Sequence, residues 1–106
     1  MTTKEFIEDA LICRIAAGEL RNVLPSLKKL KVHYGVAIGT LIKAIESLKE
    51  IGLCTSKQGG GFYLEEGAAG IARHEIRKRI EESGKRILEM AKAANVAVAI
   101  NYTERG

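Results

Sequence analysis

The chain is poor in the side chains that build metal and redox centres, with two cysteines and two histidines among 106 residues. Cys13 and Cys54 lie far apart and lack the close spacing of a metal-binding pair, so both are expected to be buried free thiols. His33 and His74 are equally isolated, and no converging ligand set suggests a metal. No long uncharged apolar run is present, which excludes an expected membrane helix, and the charged N-terminus lacks the shape of a signal peptide. A cytoplasmic protein is therefore expected. Enzyme motifs are missing too. Gly59-Gly60-Gly61 is not followed by Gly-Lys-Ser/Thr and joins apolar segments instead of opening a helix, so it does not read as a phosphate cradle. No Ser-His-acid or Cys-His grouping is evident, and the carboxylates sit beside basic residues on helix faces. Neither catalysis nor a cofactor is expected.

The single proline, Pro25, opens the most informative stretch. Its fixed φ suits the lead into a helix capped by Ser26. Leu27, Leu30 and Tyr34 then recur at helical spacing, with Lys28, Lys29 and Lys31 between them. Gly35-Val36 is a tight turn, because glycine takes the left-handed conformation without a Cβ clash and lets a second helix leave at a steep angle. In that second helix Leu41, Ala44, Ile45, Leu48 and Ile51 form the inward stripe, while Lys43, Glu46, Ser47 and Lys49 point elsewhere. Gly52 ends it. Leu53 to Ser56 and Phe62 to Glu65 read as strands around Lys57-Gln58-Gly59-Gly60-Gly61, whose glycines supply the positive φ angles of a hairpin turn. Upstream, Thr2 and Glu5 have capping-box spacing, and Phe6, Ile7, Ala10, Leu11 and Ile15 supply the apolar surface of a supporting first helix.

Two helices joined by a steep turn and followed by a glycine-tipped hairpin outline a winged helix-turn-helix, for which DNA is the first partner to consider. The run Leu24-Pro25-Ser26, Leu30, Gly35-Val36, Thr40-Leu41, Ala44, Leu48, Gly52-Leu53, Gln58-Gly59, Gly61 and Leu64 resembles the N-terminal DNA-binding domain of GntR-type bacterial transcription regulators. Ile15 to Leu20, with Gly18, is similar to that family's lead into the Leu-Pro-Ser. The resemblance covers about the first 65 residues and implies a reading surface made of Ser26, Lys28, Lys29, Ala37, Ile38, Gly39, Thr40, Ile42, Lys43, Lys57, Gln58, Gly59 and Gly60. Several positions depart from the family pattern. Lys28 replaces a usual arginine and lacks its planar fork. Ala37-Ile38 stands for Ser-Arg, removing an N-cap and a cation. Ile42 occupies a commonly polar or basic position, and Gly60 replaces a basic wing tip. Ile38 and Ile42 leave two readings open, contact with thymine methyl groups or a face turned to a protein partner.

Net charge is +4, from 17 basic and 13 acidic residues. This mild imbalance is concentrated, since Leu24 to Leu64 holds six lysines against two glutamates, a distribution suited to phosphate neutralisation.

Beyond Gly67 no proline appears before Asn95, and Ile76, Ile80, Ser83, Ile87, Met90 and Ala94 recur at spacings of four and three. That pattern reads as a heptad seam, interrupted at Ser83-Gly84, with the alternative that the helix folds back on its own winged domain. Val96 to Tyr102 reads as a strand or a second helix. The expected architecture is mainly α with a small β-hairpin wing: a winged helix-turn-helix over residues 1–66, then a long dimerisation helix within 67–106. Within the family, the chain resembles the small-tailed, YtrA-like subgroup. The resemblance implies a sequence-specific regulator bound to double-stranded DNA at a palindromic operator as a homodimer, and repression is the expected sign because the chain offers no obvious activation surface. No membrane partner or small-molecule effector is expected. The alternative function is a winged helix that serves as a protein-protein interaction module.

Overall fold

The computed structural model describes residues 2–83 and 86–93. Helix α1 (Thr3–Ala16) opens with the expected capping box. Thr2 Oγ1 accepts from the Glu5 backbone N–H at 3.1 Å, and a Glu5 carboxylate oxygen accepts from the Thr2 N–H at 2.9 Å. Two orphan donors of the first turn are thereby satisfied. Helix α2 (Leu27–Tyr34) is capped by Ser26, whose hydroxyl accepts from Lys29 N–H at 3.2 Å. It stops at Gly35, where φ is 63°. Helix α3 (Ile38–Ile51) follows at once and ends on Gly52, also left-handed.

The wing pairs β1 (Cys54–Ser56) antiparallel with β2 (Phe62–Leu64), placing Cys54 opposite Leu64 and Ser56 opposite Phe62. It is held from a second side by the segment ahead of α2. Leu24 N–H donates to the Phe62 carbonyl at 3.0 Å, and Leu64 N–H donates to the Asn22 carbonyl at 2.7 Å. These bonds, with a bridge between Val23 and Tyr63, fix the hairpin relative to the helix pair.

Helix α1 lies at the centre, packed against α3 on one side and against α4 (Ala68–Ser83) and α5 (Arg86–Ala93) on the other. Its apolar face is therefore nearly continuous: Ile7, Leu11, Ile12 and Ile15 are all fully or almost fully buried. Cys13 and Cys54 are buried free thiols, as read from the sequence, and burial pushes them up to about 12 and about 11 respectively. A thiol held protonated in this way is a weak nucleophile at neutral pH.

Three expectations are corrected. The tail is two helices among the described residues rather than one long helix, α4 ending at Ser83 and α5 beginning at Arg86. Phe6 faces outward, 42% exposed, instead of joining the core. The expected seam is filled from within: Ile76, Ile80 and Ile87 are each at most 2% exposed and belong to the same core cluster as α1 and α3. Their stripe meets α1 of the same chain, so these three side chains are not free to pair with a second copy. Met90 is half-buried at the edge of that cluster. Ala94, the Ser83 side chain and the Val96 to Tyr102 segment lie outside the described residues.

An ionic cluster joins α1 to the tail. Asp9, 1% exposed, accepts from Arg79 Nη1 of α4 at 2.8 Å and from Arg86 Nη2 of α5 at 3.0 Å. Arg79 also donates to Glu8 at 3.0 Å and to Glu75 at 2.8 Å. Burial works against the Arg79 charge, but its hydrogen bonds to Glu75, Asp9 and Glu8 raise its pKa above the ordinary value. The other Glu8 oxygen has Lys4 Nζ at 2.6 Å, an electrostatic approach without the direction of a good hydrogen bond.

Candidate nucleic-acid interface

The face that could meet a duplex is set by how α2 and α3 divide their sides. Leu41, Ala44, Ile45 and Leu48 are fully buried, which turns Ile38, Gly39, Ile42, Lys43 and Glu46 outward on α3. Ile38 is 41% and Ile42 37% exposed. Thr40 is half-buried beside them. On α2, Leu30 is buried and Lys28, Lys29, Lys31 and Val32 are exposed. The turn between the helices is closed by Gly35 N–H donating to the Lys31 carbonyl at 2.8 Å, while half-buried Val36 packs against the core. This C-cap satisfies the Lys31 carbonyl, which the last turn of α2 would otherwise leave open.

The start of α3 behaves differently. Ala37 has extended backbone and provides no side-chain cap, so the N–H groups of the first turn point outward without a side-chain acceptor there. Such a helix start favours an anion, since free donors and the helix dipole both attract negative charge. Ser26 at α2 already accepts from Lys29, yet its hydroxyl proton remains able to donate to a phosphate oxygen.

In the wing, Lys57, Gln58, Gly59 and Gly60 are exposed. Gly59, Gly60 and Gly61 have φ of 88°, 108° and 85°, which explains why three glycines occur together. The tip is closed by Lys57 N–H donating to the Gly61 carbonyl at 2.9 Å. A shallow groove of about 420 Å³, lined by Ser26, Leu27, Lys57 and Gly60 among others, separates the start of α2 from the wing. The structure thus brings Lys57 and Gly60 of the wing near Ser26, while the α3 positions lie on the outward side of that helix.

Two residues of this region were not legible as contributors. Lys49 donates to Ser56 Oγ at 2.8 Å and has its ammonium 6.0 Å from the Phe62 ring centroid, so it ties α3 to both strands of the wing. Tyr63 is 50% exposed, with Lys57 Nζ 5.5 Å from its ring centroid. Both contacts depend on how the hairpin returns beside α3, and spacing in the chain carries no trace of that. By contrast, none of the ion pairs among the described residues uses Lys28, Lys29, Lys43 or Lys57. Their charges are not internally neutralised. Among the described residues, no helix is long and apolar enough to cross a membrane.

Comparison with known proteins agrees with this arrangement. Residues 3–64 match the family described as bacterial regulatory proteins, gntR family. A solved structure described as a GntR family transcriptional regulator from Listeria monocytogenes has a TM-score of 0.68 at 22% identity, covering 99% of this chain and 90% of that one. At that identity the likeness speaks for the fold. No curated protein matches the chain.

Proposed function

The chain belongs to the GntR family of bacterial regulatory proteins, and from that premise we propose that it is a cytoplasmic repressor that occupies a palindromic operator as a homodimer. The observation carrying the DNA contact is the set of exposed lysines, outside the ion pairs among the described residues, around the outward face of α3 and the wing. They supply the sequence-independent part of affinity by releasing counterions from phosphates. Ser26, Thr40 and the uncapped start of α3 add donors that fix the protein on the backbone, and the outward α3 side chains face base edges. Repression is the sign assigned because a dimer seated on its operator excludes polymerase by occupancy alone. The reading includes no small-molecule effector.

Selection from a random duplex library at low salt tests the DNA contact. A shared, two-fold symmetric motif is the expected result. Folded protein that retains no duplex would overturn the reading.

The dimer requires a surface other than Ile76, Ile80 and Ile87. We assign it to the α1–α5 face, where exposed Phe6 and half-buried Met90 border a groove of about 400 Å³ that also includes Ala10 and Ala93. A two-fold pairing there presents two α3 helices to half-sites about one helical turn apart, or a multiple of it. Sedimentation equilibrium should show a dimer at micromolar concentration, converted to monomer by Phe6→Glu with the fold retained. A wild-type monomer well above micromolar concentration counts against the pairing.

A further inference from the structure

The outward face of α3 is unusual for a surface that selects bases. Its residues are Ile38, Gly39, Ile42, Lys43, Glu46, Lys49 and Glu50. Arginine, asparagine and glutamine, which make bidentate contacts to purine edges, are absent from the helix. In the first two turns the largest outward side chains are Ile38 and Ile42, 41% and 37% exposed. They are four residues apart and lie on one side of the helix, with Cβ atoms about 5–6 Å apart by helical geometry.

Gly39 supplies a second, independent observation. A Cβ built there meets nothing within 4 Å, and its backbone is not in the left-handed region. The fold does not need glycine at this position, although glycine weakens a helix. What it provides is a gap in the outer surface between Ile38 and Thr40, where another molecule can approach the backbone closely.

A major-groove floor offers one apolar group, the C5-methyl of thymine, and 5-methylcytosine carries the same group. Resting on the DNA reading above, we infer that Ile38 and Ile42 select operator bases through pyrimidine C5-methyl groups, with Gly39 letting α3 settle close enough to touch them. Bases stacked about 3.4 Å apart along a strand place the methyls of neighbouring pyrimidines within the span of the two isoleucines. Lys43 beside them holds phosphate and adds no methyl selectivity. The ligand class is a methylated pyrimidine edge, and the surface does not distinguish thymine's methyl from that of a methylated cytosine.

The experiment uses the full chain and a duplex recovered by selection, with each half-site thymine replaced singly by deoxyuridine. This removes only the methyl and keeps the pairing and the O4 acceptor. At the contacted positions Kd is expected to rise about fourfold per methyl, the effect of exposing one buried methyl-sized apolar group. Ile38→Ala or Ile42→Ala should abolish that difference at its own position, as a double-mutant cycle requires. At the same position, 5-methylcytosine paired with guanine should bind more tightly than cytosine paired with guanine. If deoxyuridine is tolerated everywhere while binding persists, the methyl reading is overturned and the DNA reading stands. A loss that is equal in wild type and both variants overturns the assignment to these isoleucines. Failure to bind any duplex overturns the DNA reading itself and leaves α3 a protein-facing surface.

Discussion

Asp9→Ala is expected to lower the free energy of unfolding by about 3 kcal/mol, the lower end of what breaking a buried ion pair from one side costs. One carboxylate there joins three helices: its two oxygens take Arg79 from α4 and Arg86 from α5, and the residue is 1% exposed. Removal strands the two guanidinium groups unequally. Arg79 keeps Glu8 and Glu75, whereas Asp9 is the partner in the described ion pair of Arg86. The Arg86 side chain is 31% exposed and can turn toward water, which is why the lower end of the range applies. Arg79→Met should cost more than Asp9→Ala, because it leaves the buried carboxylates of Asp9, Glu8 and Glu75 facing one another without the cation they share. Urea denaturation of the two variants checks both the size and the order. A loss below about 1 kcal/mol for Asp9→Ala would show that the cluster is solvated enough to be dispensable.

Affinity for the operator should fall about a thousandfold between about 50 and about 200 mM salt, the loss associated with some six neutralised phosphates. Three lysines from each of two protomers would meet that number, and Lys28, Lys43 and Lys57 are exposed and free of the described ion pairs. Lys28→Ala and Lys43→Ala should each weaken binding to all duplexes alike and make the log-log salt slope shallower by about 1 per altered contact. In a dimer each substitution is made twice, so the change doubles. Since both side chains are exposed, stability should remain within about 0.5 kcal/mol of wild type. An unchanged slope in the double variant would place the phosphate contacts elsewhere.

The contrast between these two experiments mirrors what the chain alone makes legible. Gly35, Gly52 and the wing glycines each answer a local demand of the backbone, so the helix-turn-helix and hairpin are visible residue by residue. Ser26 as a cap and Ala37 as a missing one are visible for the same reason. The tail is not, because spacing of four and three reports an apolar stripe but not whether its partner belongs to the same chain. Ile76, Ile80 and Ile87 find α1 at home. Asp9 is hidden more deeply still: its partners lie 70 and 77 residues away, and a carboxylate at helical spacing among apolar residues carries no mark of them. On the candidate interface, the exposed lysines follow from the amphipathic pattern. The strut from Lys49 to Ser56 requires the return path of the wing.

The central position of α1 gives the molecule two different boundaries. The match to the family's description covers residues 3–64, but the hydrophobic cluster that includes α1 and α3 runs on to Ala91. The matched segment is thus smaller than the portion that water recognises as one body. A graft designed from residues 3–64 alone would cut through α1's packing partners, leaving the side of that helix covered by α4 and α5 without its cover.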